Sequence, residues 1–238
     1  MLVPMTITSA RPELGYADLP GLITAMAGDE KHDRAASSTL DVLWVLYDRV
    51  LRVSPRTVQA DDRDRFLLSK GHGPMAYYAV LAAKGFLDPR VLPGYGTFDS
   101  ALGHHPDAAL LPGVEISSGS LGHGLPIGVG VALGLRARGQ LAARVFVLIG
   151  DGELDEGSNH EAIAFAGARG LDRLNVVVVD NSSSTYGWPG GAEARFATEG
   201  WSASRADGRD HEALAAALTR PHPGRPRVVV AEIKPAGS

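Results

Sequence analysis

The sequence predicts a single α/β domain, with a mostly parallel sheet covered by helices on both faces. Two apolar runs and the segment between them carry that prediction. Val145–Ile149 (VFVLI) leads into Gly-Asp-Gly, and Asn175–Val179 (NVVVV) leads into Asp-Asn. Both runs are continuous rather than alternating, the pattern of strands buried on both faces. Between them, Ser158–Arg169 sets Ala162, Ile163, Phe165 and Ala166 along one side of a helix. Strand, helix and strand in that order make a βαβ unit. A length of 238 residues suits one large domain of this class.

The remaining segments follow in chain order. Residues 1–35 read as polar and irregular, and residues 1–27 are set apart as an N-terminal extension to a domain spanning 28–238. Leu40, Leu43, Val45, Leu46, Tyr47, Val50 and Leu51 follow helical spacing. Arg63–Leu68 leads through SKGHGP into a second helix, Met75–Lys84, ended by Gly85. Residues 86–116, with four prolines and four glycines, read as a long ordered loop. Segment 120–138 reads as helical despite its glycines, with Gly124/Gly128 and Gly130/Gly134 each lining one face where another backbone can approach. A helix at 210–219 and a third strand at Arg227–Ile233 complete the pattern. No internal repeat and no interdomain linker is visible.

Composition removes several classes of function. Apolar residues at 45% and charged residues at 21% describe a chain that buries a core rather than a disordered one. The 23 Lys+Arg against 27 Asp+Glu, without a basic stripe, argue against a nucleic-acid partner. The absence of cysteine excludes disulfides, zinc–thiolate sites, iron–sulfur ligation and cysteine nucleophiles. The start, MLVPMTITSARPELG, lacks the basic and apolar regions of a signal peptide, and no apolar run approaches a membrane span. The expectation is a soluble, cytoplasmic protein.

Glycine is the outlier, at 29 residues where average usage of ~7% gives about 17. Eight fall between Gly113 and Gly139 and three between Gly150 and Gly157. Such clusters mark sharp turns and close backbone approach to a ligand.

In an open α/β sheet, ligands sit beyond the carboxyl ends of the strands. Asp151 of GDG (150–152) and Asn181 of DN (180–181) therefore meet at one sheet edge. A carboxylate, an amide oxygen and a loop carbonyl form a hard oxygen set suited to Mg²⁺ or Ca²⁺. So few protein ligands leave room for a diphosphate to complete the shell, with Gly150 and Gly152 letting the backbone press against it. GDG taken alone reads first as a tight turn after a strand, and DN as a second; it is their pairing at neighbouring strand ends that points to a ligand. Neither a G-x-G-x-x-G after the first strands nor a GxxxxGK[ST] is present, so dinucleotide and Walker-type sites lack their signature.

GDGELDEGSNHEA (150–162) followed by VVVVDN (176–181) resembles the thiamine diphosphate motif of transketolases. LLSKGHGPMAYYAVLAAKGF (67–86) and LGHHPDAALLPGVEISSGSLGHGL (102–125) resemble further segments of that family, in matching order. The resemblance covers residues 28–235 and implies a thiamine diphosphate-binding fold of the diphosphate-binding type. It implies that Asp151, Asn181 and the main-chain carbonyl of Ser183 hold the metal. Gly150, Gly152 and His72 would face the diphosphate and thiazolium, and Gly119 and Leu121 the aminopyrimidine. Glu156 and Glu161 match glutamates at the family's dimer interface near the cofactor. His32, His72 and His105 match histidines that line the substrate channel and assist proton transfers.

Some positions keep a plainer reading beside this one. His32, in the charged run DEKHDR, equally fits a solvated surface histidine, and Glu156 also admits the reading of a first-turn acid favoured by the helix dipole. His123 stands where relatives carry glutamine. The segment KHDRAASST (31–39) has lost the family's usual glycines, and SSSTYGWPGG replaces the lysine-bearing continuation after Asn181.

In this family a glutamate on a separate pyrimidine-binding domain activates the cofactor. The chain holds only the diphosphate-binding half, so the resemblance implies one subunit of a split, α₂β₂-type enzyme. That enzyme would move a two-carbon ketol unit from a ketose to an aldehyde. Transfer of a pyruvate-derived acetyl unit to a sugar or other carbonyl acceptor, and a non-catalytic cofactor-binding homologue, are the alternatives. The glycine-rich helix at 120–138, Glu156 and Glu161 are the expected contact surface.

Overall fold

A computed structural model describes residues 14–26, 33–71, 74–185 and 187–234, the side chains of 33–37 excepted. Five strands, β1 (Arg65–Leu68), β2 (Val145–Gly150), β3 (Leu174–Asp180), β4 (Ser202–Asp207) and β5 (Arg227–Glu232), form one sheet in the order β1-β2-β3-β5-β4. Every neighbouring pair is parallel. All carboxyl ends therefore lie along one edge, with Gly150 beside Val179 and Asp180 beside Glu232.

Seven α-helices are described: α1 (Leu19–Met26), α2 (Asp33–Val45), α3 (Met75–Ala83), α4 (Gly124–Ala137), α5 (Gly157–Ala168), α6 (Gly191–Thr198) and α7 (His211–Thr219). Strand side chains alternate between faces, and this splits the core in two. Phe146, Leu148, Val177, Val179, Val229 and Ala231 pack with α1, α2, α3 and α7. Val147, Ile149, Val176, Val178, Val228 and Val230 pack with α4, α5 and α6. Apolar residues on both faces of each central strand produce the continuous runs seen in the sequence.

Gly124 and Gly128 let α4 lie directly on the sheet. A Cβ on Gly124 would stand 2.8 Å from the Ser69 Cα, and one on Gly128 would stand 2.5 Å from a Val147 methyl. The second pair behaves differently: nothing lies within 4 Å of a Cβ built on Gly130 or Gly134. That stripe is open within the chain.

Several expectations need correction. Residues 16–26 are ordered, with a 3₁₀ turn at Tyr16–Asp18 leading into α1, and α1 buries Leu19 and Met26 in the main core. Phe165 is exposed, because α5 turns Ala162, Ile163 and Ala166 inward and leaves Phe165 off that stripe. The strands β1 and β4 and the helix α6 were not anticipated.

At the amino edge of the sheet, Asp64 is fully buried and joins β1 to β2. Its carboxylate accepts from the Arg144 guanidinium at 2.5 Å, the Arg52 guanidinium at 3.0 Å, and the backbone N–H groups of Arg52 and Arg144 at 2.8 and 3.0 Å. Burial alone would raise the Asp64 pKa, but the hydrogen bonds from Arg144 and Arg52 outweigh it and hold the group below its ordinary value.

Candidate functional site

The carboxyl ends of β2 and β3 bring the GDG and DN turns together. Asp151 continues the ladder through its N–H to the Val179 carbonyl at 3.0 Å, which fixes it beside the end of β3. Its carboxylate is buried and gathers the loop that follows Asn181. Oδ2 accepts from the backbone N–H of Ser183 at 2.6 Å and of Ser184 at 3.1 Å, and Oδ1 accepts from the Ser183 hydroxyl at 2.5 Å. Asp155 extends the grip, accepting from the Ser184 hydroxyl and the Thr185 N–H, each at 3.2 Å. Within this turn Ser182 takes a left-handed φ of 60°, a conformation that non-glycine residues hold only where surrounding contacts determine it.

The turn presents oxygen. The side-chain carbonyl Oδ1 of Asn181 is buried and has no hydrogen-bond partner, although buried amide oxygens are almost always satisfied. The Ser183 carbonyl lies 3.4 Å from a Cβ built on Gly152, so it faces the GDG turn. One carboxylate, one orphaned amide oxygen and one main-chain carbonyl at a single strand edge fit a hard divalent cation. Among the described residues there is no cluster of three or more His, Asp or Glu side chains that would bind a metal without such help.

A second carboxylate organises the backbone around this point. Glu153, in the 3₁₀ turn after GDG, is 3% exposed. Its Oε1 accepts from the Ser69 hydroxyl and, at 3.0 Å, from the Gly122 N–H, while Oε2 accepts from the Gly150 N–H at 3.3 Å. The Ser69 Oγ in turn accepts from the Gly124 N–H at 2.9 Å. One side chain thus pins the SKGHG, SLGHG and GDG segments to one another. Burial pushes the Glu153 carboxyl above its ordinary value, held back by these donors and by the Lys70 charge. Lys70 runs over Gly150, its aliphatic carbons 3.3 Å from a Cβ built there, and its ammonium donates to the Ser38 hydroxyl at 3.2 Å. Burial lowers the Lys70 pKa, while Asp151 and Glu153 oppose the shift. The result is a desolvated cation beside the strand ends, where an anionic group would be favoured.

Gly122 shows why this cradle needs glycine. Its φ is +80°, and a Cβ would come within 2.7 Å of both the Glu156 Cβ and the Ser158 hydroxyl. That hydroxyl donates to the Gly122 carbonyl at 2.7 Å. Glu156 therefore stands, exposed, against the loop containing Gly119 and Leu121. Leu121 is 41% exposed, and Glu161 is exposed on the first turns of α5.

His105 joins the same region. Its Nδ1 lies 3.1 Å from the Gly71 carbonyl, and its ring lies 3.0 Å from a Cβ built on Gly119. The adjacent His104 turns away, stacking edge-on against Tyr95, whose hydroxyl is 3.2 Å from its Nδ1. His123 is exposed at the N-cap of α4. His32 and His72 lie outside the described residues.

Thus Asp151, Asn181, Ser183, Gly150 and Gly152 come together at one edge, with Gly119, His105 and Glu156 around the neighbouring loop. Ser69, Lys70 and Glu153 went unread in the sequence. Lys70 follows a strand end within the SKGHG segment, a usable signal, but nothing local distinguishes Glu153 from the neighbouring acids Asp155 and Glu156.

Comparison with known proteins identifies the family. The profile for "Transketolase, thiamine diphosphate binding domain" matches residues 25–234. Ferredoxin fas2 of Rhodococcoides fascians is 60% identical over 221 residues, covering 93% of this chain and 73% of that protein. The present chain, lacking cysteine, carries no thiolate for an iron–sulfur cluster. An apulose-4-phosphate transketolase subunit of Actinobacillus succinogenes is 36% identical over 207 residues, covering 84% of this chain and 75% of that one. Among solved structures, a transketolase from Leishmania mexicana superposes with a TM-score of 0.73 at 24% identity. It aligns with 93% of this chain, which spans only 37% of that one, and shows the shared fold. From its strand-end turns to its matched profile, the chain belongs to the transketolase thiamine diphosphate-binding domain family.

Proposed function

We propose that the chain is the diphosphate-binding subunit of a two-subunit, thiamine diphosphate-dependent transketolase, which moves a two-carbon ketol unit from a ketose to an aldehyde. The observation that carries this reading is the juxtaposition of buried Asp151 with the unpartnered Oδ1 of Asn181. Asp151, Asn181 and the Ser183 carbonyl would hold Mg²⁺. Gly150, Gly152, Lys70 and His72 would face the diphosphate, Gly119 and Leu121 the aminopyrimidine, and Glu156 and Glu161 the dimer interface near the cofactor. When bound, thiamine diphosphate supplies a nucleophilic thiazolium C2.

The protein's own part is positioning and proton handling. Glu153 keeps the three cradle segments in register. His105, with one nitrogen on the Gly71 carbonyl, would assist proton transfer to or from substrate oxygens, a role His32 and His72 would share. The activating glutamate of the pyrimidine-binding domain would come from a second polypeptide. A relative named as one subunit of a transketolase supports that division. The open stripe of Gly130 and Gly134, with exposed Ile127 on α4 and Phe165 on α5, gives apolar surface for the α₂β₂ contact.

The test is proton exchange and turnover. With Mg²⁺ and thiamine diphosphate, the isolated chain should leave the cofactor C2 proton at its background exchange rate by NMR. Adding a co-expressed pyrimidine-binding subunit should bring rapid exchange and ketol transfer. Rapid exchange by the isolated chain would end the split-enzyme reading, and turnover with pyruvate but no ketose would replace the donor class.

A further inference from the structure

The loop that carries Asn181 and Ser183 begins at Asp180, the end of β3, and runs into the first turn of α6. One guanidinium holds both of its ends. Arg205 lies on the edge strand β4 and faces the α4–α6 side of the sheet, as do Asp180 and Glu232 by strand alternation. Its Nη1 donates to Oδ2 of Asp180 at 3.0 Å. Its Nε and Nη2 donate to Oε1 and Oε2 of Glu193, in the first turn of α6, at 2.8 and 2.7 Å. Glu232 on the intervening strand β5 stands 3.7 Å away. The other oxygen of Asp180 accepts from the N–H of Ser182, the left-handed residue of the turn, at 3.4 Å.

Resting on the metal reading above, we propose that Arg205 is the positioning residue of this turn: by closing the base of the 180–193 loop, it holds Asn181 and Ser183 where a metal can use them. Three features support this. The fork to Glu193 is bidentate, which fixes direction as well as distance. Without the guanidinium, Asp180, Glu193 and Glu232 would face one another as like charges. A loop pinned at both ends has already met its closure entropy before a ligand arrives. Hydrogen bonds from Arg205 hold the Glu193 carboxyl below its ordinary value, as expected of an engaged pair.

Charge and positioning have opposite consequences for a cation. Removing a positive charge near a metal site favours the metal electrostatically, whereas releasing the turn disfavours it. Arg205→Lys keeps the charge and loses the fork, and Arg205→Gln loses both. The positioning role predicts that both variants weaken Mn²⁺ binding in the presence of thiamine diphosphate, read by electron paramagnetic resonance, by about tenfold. It also predicts faster hydrogen exchange at the Ser183 and Ser184 amides of the metal-free chain in both variants, with exchange in the β2 core unchanged. Wild-type exchange at those amides, or wild-type affinity in Arg205→Lys with equal or tighter binding in Arg205→Gln, would overturn the proposal. The exchange arm is read without metal. It therefore judges Arg205 even if the wild-type chain takes up no Mn²⁺, a failure that would count against the functional reading instead.

Discussion

The backbone N–H of Ser183 points at Oδ2 of Asp151 from 2.6 Å, so the central residue of GDG and the loop after Asn181 are locked together. The strand ends alone bring Asp151 and Asn181 to one edge. This bond, with those from the Ser183 hydroxyl and the Ser184 N–H, sets the path of the chain between them.

Glu153 should prove necessary for the cradle. Glu153→Ala strands the Ser69 hydroxyl and the N–H groups of Gly122 and Gly150, donors that it now satisfies. Unsatisfied buried groups cost about 1–3 kcal/mol each, partly relieved by relaxation and water. The expected loss is about 3 kcal/mol in urea unfolding, with weaker thiamine diphosphate binding. Wild-type stability in this variant would show that Glu153 is not the pin.

Asp64 predicts an acid dependence. Its pKa in the folded protein is below the ordinary 3.8, so the stabilisation is fully present above the unfolded value and is lost as pH falls through the folded one. Asp64→Asn should cost about 3 kcal/mol at neutral pH, the lower end for a broken buried pair because both arginines reach solvent. Unfolding midpoints measured from pH 7 down to pH 2 should keep a constant gap between wild type and variant above about pH 4 and converge below it. A gap that widens on acidification would reverse the sign of the effect.

His105 should matter for rate and little for folding. It is exposed, and the contact to the Gly71 carbonyl is at the surface of the cradle. In the assembled enzyme, His105→Ala should lower turnover by about 10²–10⁴-fold, the range for loss of a general acid–base group, with an unchanged thermal midpoint. Full activity would remove His105 from the chemistry.

What the sequence revealed and what it concealed follow from burial. β2 and β3 were legible because both faces of each are apolar, and their terminal turns fell where an α/β sheet places ligands. β4, Ser-Ala-Ser-Arg-Ala-Asp, lies at the sheet edge and pairs through its backbone with β5, so its side chains need no apolar pattern. β1 has only four residues and follows a charged stretch whose buried Asp64 is intelligible only once Arg52 and Arg144 are seen around it. Phe165 misled because its neighbours Ala162, Ile163 and Ala166 are core. The two turns that carry Asp151 and Asn181 were legible from motif and strand end. Glu153 and Arg205 were not, because each acts by joining segments far apart in the chain.

The metal–diphosphate site itself is best tested by calorimetric titration of thiamine diphosphate with Mg²⁺ into the wild-type chain, Asp151→Ala and Asn181→Ala, each checked for folding by circular dichroism. The wild type should bind in a Mg²⁺-dependent manner, Asp151→Ala should show no measurable binding, and Asn181→Ala should show a marked loss. Folded variants that both retain wild-type affinity would contradict the assignment of these residues to the metal.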